Sequence, residues 1–139
     1  MIPPAFFFYG TLMAGMSQPL ARVWHAGLSA GEAGWARGAL WAIPDPEGWY
    51  PALLPGEGRV LGMVYRPLAG FDAAMLAAMD RYEGDDYRRL ALPVVLAEGE
   101  VLAQAYVWQG ALPAGAVALE DGDFAAFLAR RGEVPYRGG

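Results

Sequence analysis

The chain has 139 residues, enough for one domain with a real hydrophobic core and no need of disulfides or a structural metal. With 55% hydrophobic and only 18% charged residues it reads as ordered nearly end to end, and the absence of cysteine removes thiol nucleophiles and cysteine-ligated metal sites. A net charge of -5 and ten scattered basic residues, all arginine, argue against a nucleic-acid-binding face.

The first 21 residues carry no charge, as export signals and membrane spans do, yet Pro3 and Pro4 replace a basic leader. A spanning helix would also have to absorb Gly10, Gly15, Ser17, Gln18 and Pro19. The expectation is a cytoplasmic protein with no membrane segment. "FFFYGTLMAG" then reads as a buried aromatic strand over Phe6 to Tyr9 that stops at Gly10 and enters a loop. A short helix from Leu20 to His25, ended by Gly27, follows.

"GWARGALWAI" and "GRVLGMVYRP" read as strands, with "PDPEGWYPALLPGEG" as a turn-rich connection between them. In "FDAAMLAAMDRYEGD" the period changes, and Phe71, Met75, Met79 and Tyr82 form one helical stripe. Asp72 is placed to cap this helix, Phe71 and Leu76 to staple it, and Gly84 to end it. "YRRLALPVVLA" and "EVLAQAYVWQG" predict a hairpin turning through Glu98 to Glu100. A last helix begins at Asp123, buries Phe124, Phe127 and Leu128, and ends at Gly132 before a loose tail. Strands interrupted irregularly by helices predict an α+β fold, and the glycines within the strands predict the bending of a closed or partly closed barrel.

One histidine and no cysteine leave a short list of chemistries. His25 has no nucleophile in a recognisable setting beside it, since "GMSQP" around Ser17 is not a nucleophile elbow. "GEGRVLG" is a turn rather than a dinucleotide fingerprint, and Asp123 in "EDGDF" is a helix cap rather than part of a calcium loop. Glu83 stands out. It falls in the last turn of the best helix, where the dipole disfavours a carboxylate by about 0.3–1 kcal/mol. Burial beside Tyr82 and Tyr87 would raise its pKa toward neutrality and suit it to proton transfer; pairing with Arg88 or Arg89, or solvation at the helix end, would make it ordinary. The turn after the first strand can aim the N–H groups of Gly10, Thr11 and Leu12 at one point and so hold a carboxylate without a charged side chain. Alternatively, Gly10 only supplies a positive φ for the turn.

"FFYGTLMAG", "YPALLPGEGRVLGMVYR" and "DRYEGDDYRR", in that order, resemble the γ-glutamylcyclotransferase superfamily, nearest its γ-glutamylamine cyclotransferase and AIG2-like branch, over roughly residues 6 to 109. The resemblance implies a bent mixed-sheet barrel with flanking helices, whose cavity takes a γ-glutamyl group. It also implies that the loop matching Tyr9, Gly10, Thr11 and Leu12 receives the α-carboxylate, that Glu83 is the general acid/base, and that Tyr87 lines the pocket. The reaction implied is closure of the γ-glutamyl group to 5-oxoproline with release of an amine or amino acid, using no metal and no cofactor. Trp49, Tyr50, Tyr106, Trp108 and "ALLPGEG" are further candidates for the pocket wall, with core packing as the alternative. A different class of function is a non-catalytic module that binds a carboxylate-bearing metabolite or a protein tail in the same cavity.

Overall fold

The computed structural model describes residues 2–10 and 23–132. The strands are β1 (Phe6–Phe8), β2 (Glu32–Asp45), β3 (Gly48–Tyr65), β4 (Tyr87–Leu96), β5 (Gly99–Trp108) and the short β6 (Val117–Ala118). The helices are α1 (Ala73–Glu83) and α2 (Phe124–Arg131). β1 pairs with β3 and β5, and β2 pairs with β3 and β4, while β4 pairs with β5. The ring β1-β3-β2-β4-β5 therefore closes on itself into a five-stranded barrel, with β6 added along β2. All pairings are antiparallel except β1 with β5, so the barrel is mixed.

Side chains alternate along each strand, and here both faces of β1 are buried. Phe7 and Tyr9 join a cluster with Ala36, Leu40, Val60, Val64, Val94 and Ala105. That cluster draws alternate residues from all five ring strands and is the barrel interior, where alanines suit the narrow bore. Phe6 and Phe8 face outward into a second cluster with Trp24, Phe71, Leu76 and Met79, beneath α1. A strand covered on both sides has no solvent face for polar residues, which explains its uninterrupted aromatic run.

Both helices form as the sequence predicts. Asp72 caps α1 by accepting from the Met75 N–H at 2.9 Å, and Phe71 and Leu76 are buried together in the outer cluster. Gly84 ends the helix at φ 84°, a conformation costly for any residue with a Cβ. Asp123 caps α2 by accepting from the Ala126 N–H at 3.0 Å, and Phe124, Phe127 and Leu128 enter the interior cluster. Residues 23–25 are helical, with the Gly27 N–H bonded to the Trp24 carbonyl at 2.9 Å. The start of that predicted helix and the tail after Gly132 lie outside the described residues. Among the described residues no helix is long and apolar enough to cross a membrane.

Two sequence readings need correction. The "PDPEGWYPALLPGEG" segment is not a long connection. Asp45 pairs directly with Gly48, so the turn is Pro46–Glu47, and the rest belongs to β3 as far as a register shift that leaves residues 55–57 unpaired. This also places "GEGRVLG" in β3 and its irregularity. The prolines misled because proline cannot serve a central strand, yet between residues 48 and 62 β3 pairs only with β2. Pro51 thus stands in a strand with one free edge. Likewise the β4–β5 turn is Ala97–Glu98, since Leu96 pairs with Gly99 and Glu100 is already in the ladder opposite Val95.

The β1–β3 seam depends on close backbone approach at Gly62. A Cβ there would lie 2.5 Å from the Phe8 carbonyl oxygen and 2.8 Å from the Phe7 ring. Gly62→Ala is expected to destabilise the protein by about 2–4 kcal/mol, because the obstruction is backbone in a packed seam. Urea denaturation measures it; a loss below about 0.5 kcal/mol would mean that the seam opens freely.

Candidate active site

The site forms where three chain directions converge. β1 and β5 run parallel, with Phe6 beside Gln104, so Tyr9 and the Tyr106–Trp108 segment finish at the same end of the barrel. Tyr87 opens β4 opposite Trp108 and so belongs to that end as well. α1 brings the fourth component. Glu83 stands four residues after Met79 and seven after Leu76, on the face that the helix buries, so packing of the helix on the barrel turns this carboxylate inward.

Glu83 lines two adjoining hollows. One, of about 20 Å³, is bounded by Phe8, Tyr9, Gly10, Pro51, Glu83 and Tyr106. The other, of about 170 Å³, is walled by Asp45, Tyr50, Pro51, Tyr82, Glu83, Asp86 and Tyr87. Of the residues singled out from sequence, Tyr9, Gly10, Glu83 and Tyr87 are therefore brought together around Pro51. Thr11 and Leu12 lie outside the described residues. Gly10 is not among the glycines with positive φ, which corrects the turn explanation for it. Its need is space: a Cβ there would sit 2.0 Å from Pro51 Cγ.

Three hydroxyl protons near Glu83 are committed. Tyr9 donates to the Tyr106 carbonyl, Tyr87 to the Pro51 carbonyl, and Tyr106 to Asp80 Oδ1 at 2.6 Å. Arg89 does not pair with Glu83. Its guanidinium grips Asp80 with Nε at 2.9 Å and Nη2 at 3.2 Å, and it also donates to Gln104. Among the described residues no cation forms an ion pair with Glu83.

Burial, with the Asp80 carboxylate one helical turn away as a second cause, pushes the Glu83 pKa up to about 8. The residue is partly exposed at the mouth, but desolvation of the carboxyl group dominates. Burial first, and the Glu83 charge after it, raise the pKa of Tyr9. Tyr87 is raised by burial, then by Tyr9 and Glu83. Burial and the bond to Asp80 raise Tyr106. The tyrosines are thus neutral walls, and Glu83 is the group here that exchanges protons near neutral pH.

Tyr50 and Tyr106 line the hollows, whereas Trp49 packs on Phe127 with Arg131 above its ring, and Trp108 packs edge-on to Tyr87. "ALLPGEG" lines neither hollow; only the preceding Pro51 does. His25 packs edge-on to Tyr65 at 4.5 Å between ring centres and lines neither hollow. Sequence reasoning missed Asp45, Pro51, Asp80 and Asp86. Asp80 had one available signal, its place three residues before Glu83 on the helix, while the others meet the site only through strand pairing. Among the described residues no three His, Asp or Glu side chains are grouped to hold a metal ion.

This barrel is shared with solved structures. Protein PH0828 from Pyrococcus horikoshii superposes with a TM-score of 0.68 at 20% identity, over 94% of this chain and 97% of that one. An AIG2-like protein from Mus musculus gives a TM-score of 0.61 at 28% identity, over 79% and 80% of the two chains. Protein ytfP from Escherichia coli gives 0.55 at 29% identity, over 86% and 95%. No curated protein matches the sequence. The family described as gamma-glutamyl cyclotransferase, AIG2-like, matches residues 6–126, and this chain, with its five-stranded barrel, belongs to it.

Proposed function

We propose that the protein closes the γ-glutamyl group of a small γ-glutamyl amine or peptide to 5-oxoproline and releases the amine, with Glu83 as the acid/base. The observation that carries this reading is an inward-facing carboxylate, without a cationic partner among the described residues, that shares a hollow with Gly10 at the end of β1. Family membership supports the same reaction class.

The α-ammonium of the substrate cannot attack until it loses a proton, and an ionised Glu83 takes it. The α-nitrogen then bonds to the γ-carbonyl carbon, and the carbonyl oxygen takes up the displaced electron pair. As that intermediate collapses, the bond to the leaving nitrogen breaks and protonated Glu83 returns the proton to it; the ring nitrogen, which still carries a second proton, gives it up through Glu83 to the departing amine, which leaves as an ammonium ion. A carboxyl group with a pKa of about 8 serves both steps near neutral pH, where an ordinary carboxylate would hold its proton too weakly to act as the acid. Because both reacting groups belong to one molecule, a shaped pocket supplies the rest by holding the folded conformer. Tyr87 and Tyr9 direct their protons to carbonyls, which favours main-chain N–H groups as the donors for the oxyanion and, at Gly10, Thr11 and Leu12, for the α-carboxylate. Tyr87 acts as a wall.

Glu83→Gln is expected to lower turnover by about 10²–10⁴-fold while keeping the fold, read as 5-oxoproline by mass spectrometry. Unchanged turnover would remove Glu83 from the mechanism. In the native protein kcat/KM should rise with pH through about 8 as Glu83 ionises.

The same group governs stability. Its folded pKa of about 8 exceeds the ordinary 4.5, so between those values the unfolded chain has lost the proton that the folded chain keeps. Stability therefore falls as pH rises through this window and levels off above it. Glu83→Gln removes the loss and should raise Tm by about 5 °C at pH 8, with little difference near pH 4. A variant that melts lower than the native protein at pH 8 would contradict an enclosed carboxylate.

A further inference from the structure

The larger hollow has a polarity that the reaction class does not require. Besides Glu83, it is walled by Asp45 at the end of β2 and Asp86 from the α1–β4 connection, and among the described residues no basic side chain lines it. Tyr50, Tyr82 and Tyr87 supply aromatic rings, surfaces that favour cations. One Asp45 oxygen accepts the Glu47 N–H at 3.0 Å, and no hydrogen bond from a described side chain occupies its other oxygen. The smaller hollow, which shares Glu83 and Pro51 with it, contains no other carboxylate among the described residues.

A γ-glutamyl compound carries its own α-carboxylate. Facing Asp45 and Asp86 it would be repelled, so the glutamyl end is directed to the Gly10 side and the leaving group to the acidic side. This rests on the reaction proposed above. We propose that the larger hollow is the leaving-group subsite and that Asp45 and Asp86 make it selective for γ-glutamyl derivatives of diamines. The free ammonium at the far end of such a tail meets two carboxylates and three tyrosine rings. A neutral amine forgoes that attraction, and an amino acid brings its carboxylate against the two aspartates. An alkyl ammonium with an ordinary pKa near 10.4 stays charged throughout the pH range in which Glu83 works.

Three substrates of nearly equal length separate the charge effect from size: the mono-γ-glutamyl amides of 1,4-diaminobutane, n-butylamine and 4-aminobutyrate, whose tails carry a positive, no and a negative charge. The native protein should rank them in that order by kcat/KM, with about tenfold between the first two at low ionic strength and a smaller ratio in about 0.5 M salt. Asp45→Asn and Asp86→Asn, singly and together, should narrow the ratio between cationic and neutral tails. Thermal stabilisation of Glu83→Gln by the same three compounds should follow the same order, and it reads the preference without turnover. Equal rates and equal stabilisation, or a preference for the anionic tail, would overturn the proposal while leaving ring closure intact. Absence of 5-oxoproline from all three, with the cationic compound still stabilising most, would sink the ring-closure reading and uphold the cation-selective hollow.

Discussion

The barrel closes through three residues. β1 pairs antiparallel with β3 and parallel with β5, and without it the other four ring strands would form an open sheet with unpaired edges at β3 and β5. So short a strand holds few hydrogen bonds, and its security comes from side chains: Phe7 inside the barrel and Phe6 and Phe8 outside are each almost completely removed from solvent. The same arrangement fixes the site. Where β1 ends, Tyr9 and Gly10 meet Pro51, and α1, seated on Phe6 and Phe8 through Met79, delivers Glu83 to them.

What could be read in the sequence follows from what is local. The two helices were legible down to their Asp72 and Asp123 caps, because capping, stripe and glycine stop all lie within a few residues. The barrel was legible as bent strands, but the 48–54 part of β3 was not. Its prolines obey a rule about ladders, and whether a ladder has a free edge is decided by residues far away. The site divides in the same way. Glu83 could be singled out by its unfavourable position on a helix and Gly10 by its place at the end of an aromatic strand, whereas Asp45 and Asp86 reach the hollow from the end of β2 and from the α1–β4 connection and leave no spacing to find. The alternative reading of Glu83, as a partner of Arg88 or Arg89, would have made it inert. Arg89 is instead drawn to Asp80, a choice made by the pairing of β4 with β5 beneath the helix.

The Asp80–Arg89 pair has an electrostatic consequence for its neighbour. An arginine directed at Glu83 would favour the ionised form and draw its pKa down, leaving a carboxylate too weakly basic to accept a proton and return it. Held by Asp80 and Gln104, with Tyr106 donating to the same Asp80 carboxylate, the guanidinium is balanced by a carboxylate of its own, and the net influence of Asp80 on Glu83 is to raise its pKa. The walls of tyrosine complete the effect, since they exclude water without offering Glu83 a charge.

The lack of charge around the end of β1 then has a physical reason on the proposed reading. A substrate with an α-carboxylate would ordinarily be met by arginine, but a free cation beside Gly10 would also stand beside Glu83, because the two line one hollow. Binding strength gained from that cation would be lost from the acid/base. Main-chain N–H groups hold an anion through partial charges that are short in range and fixed in direction, so they can serve the substrate while perturbing a carboxylate a few ångströms away much less than a full positive charge would. On that reading, an aromatic strand running straight into an uncharged stretch is the sequence form of a site that must hold one carboxylate and keep another one reluctant to ionise.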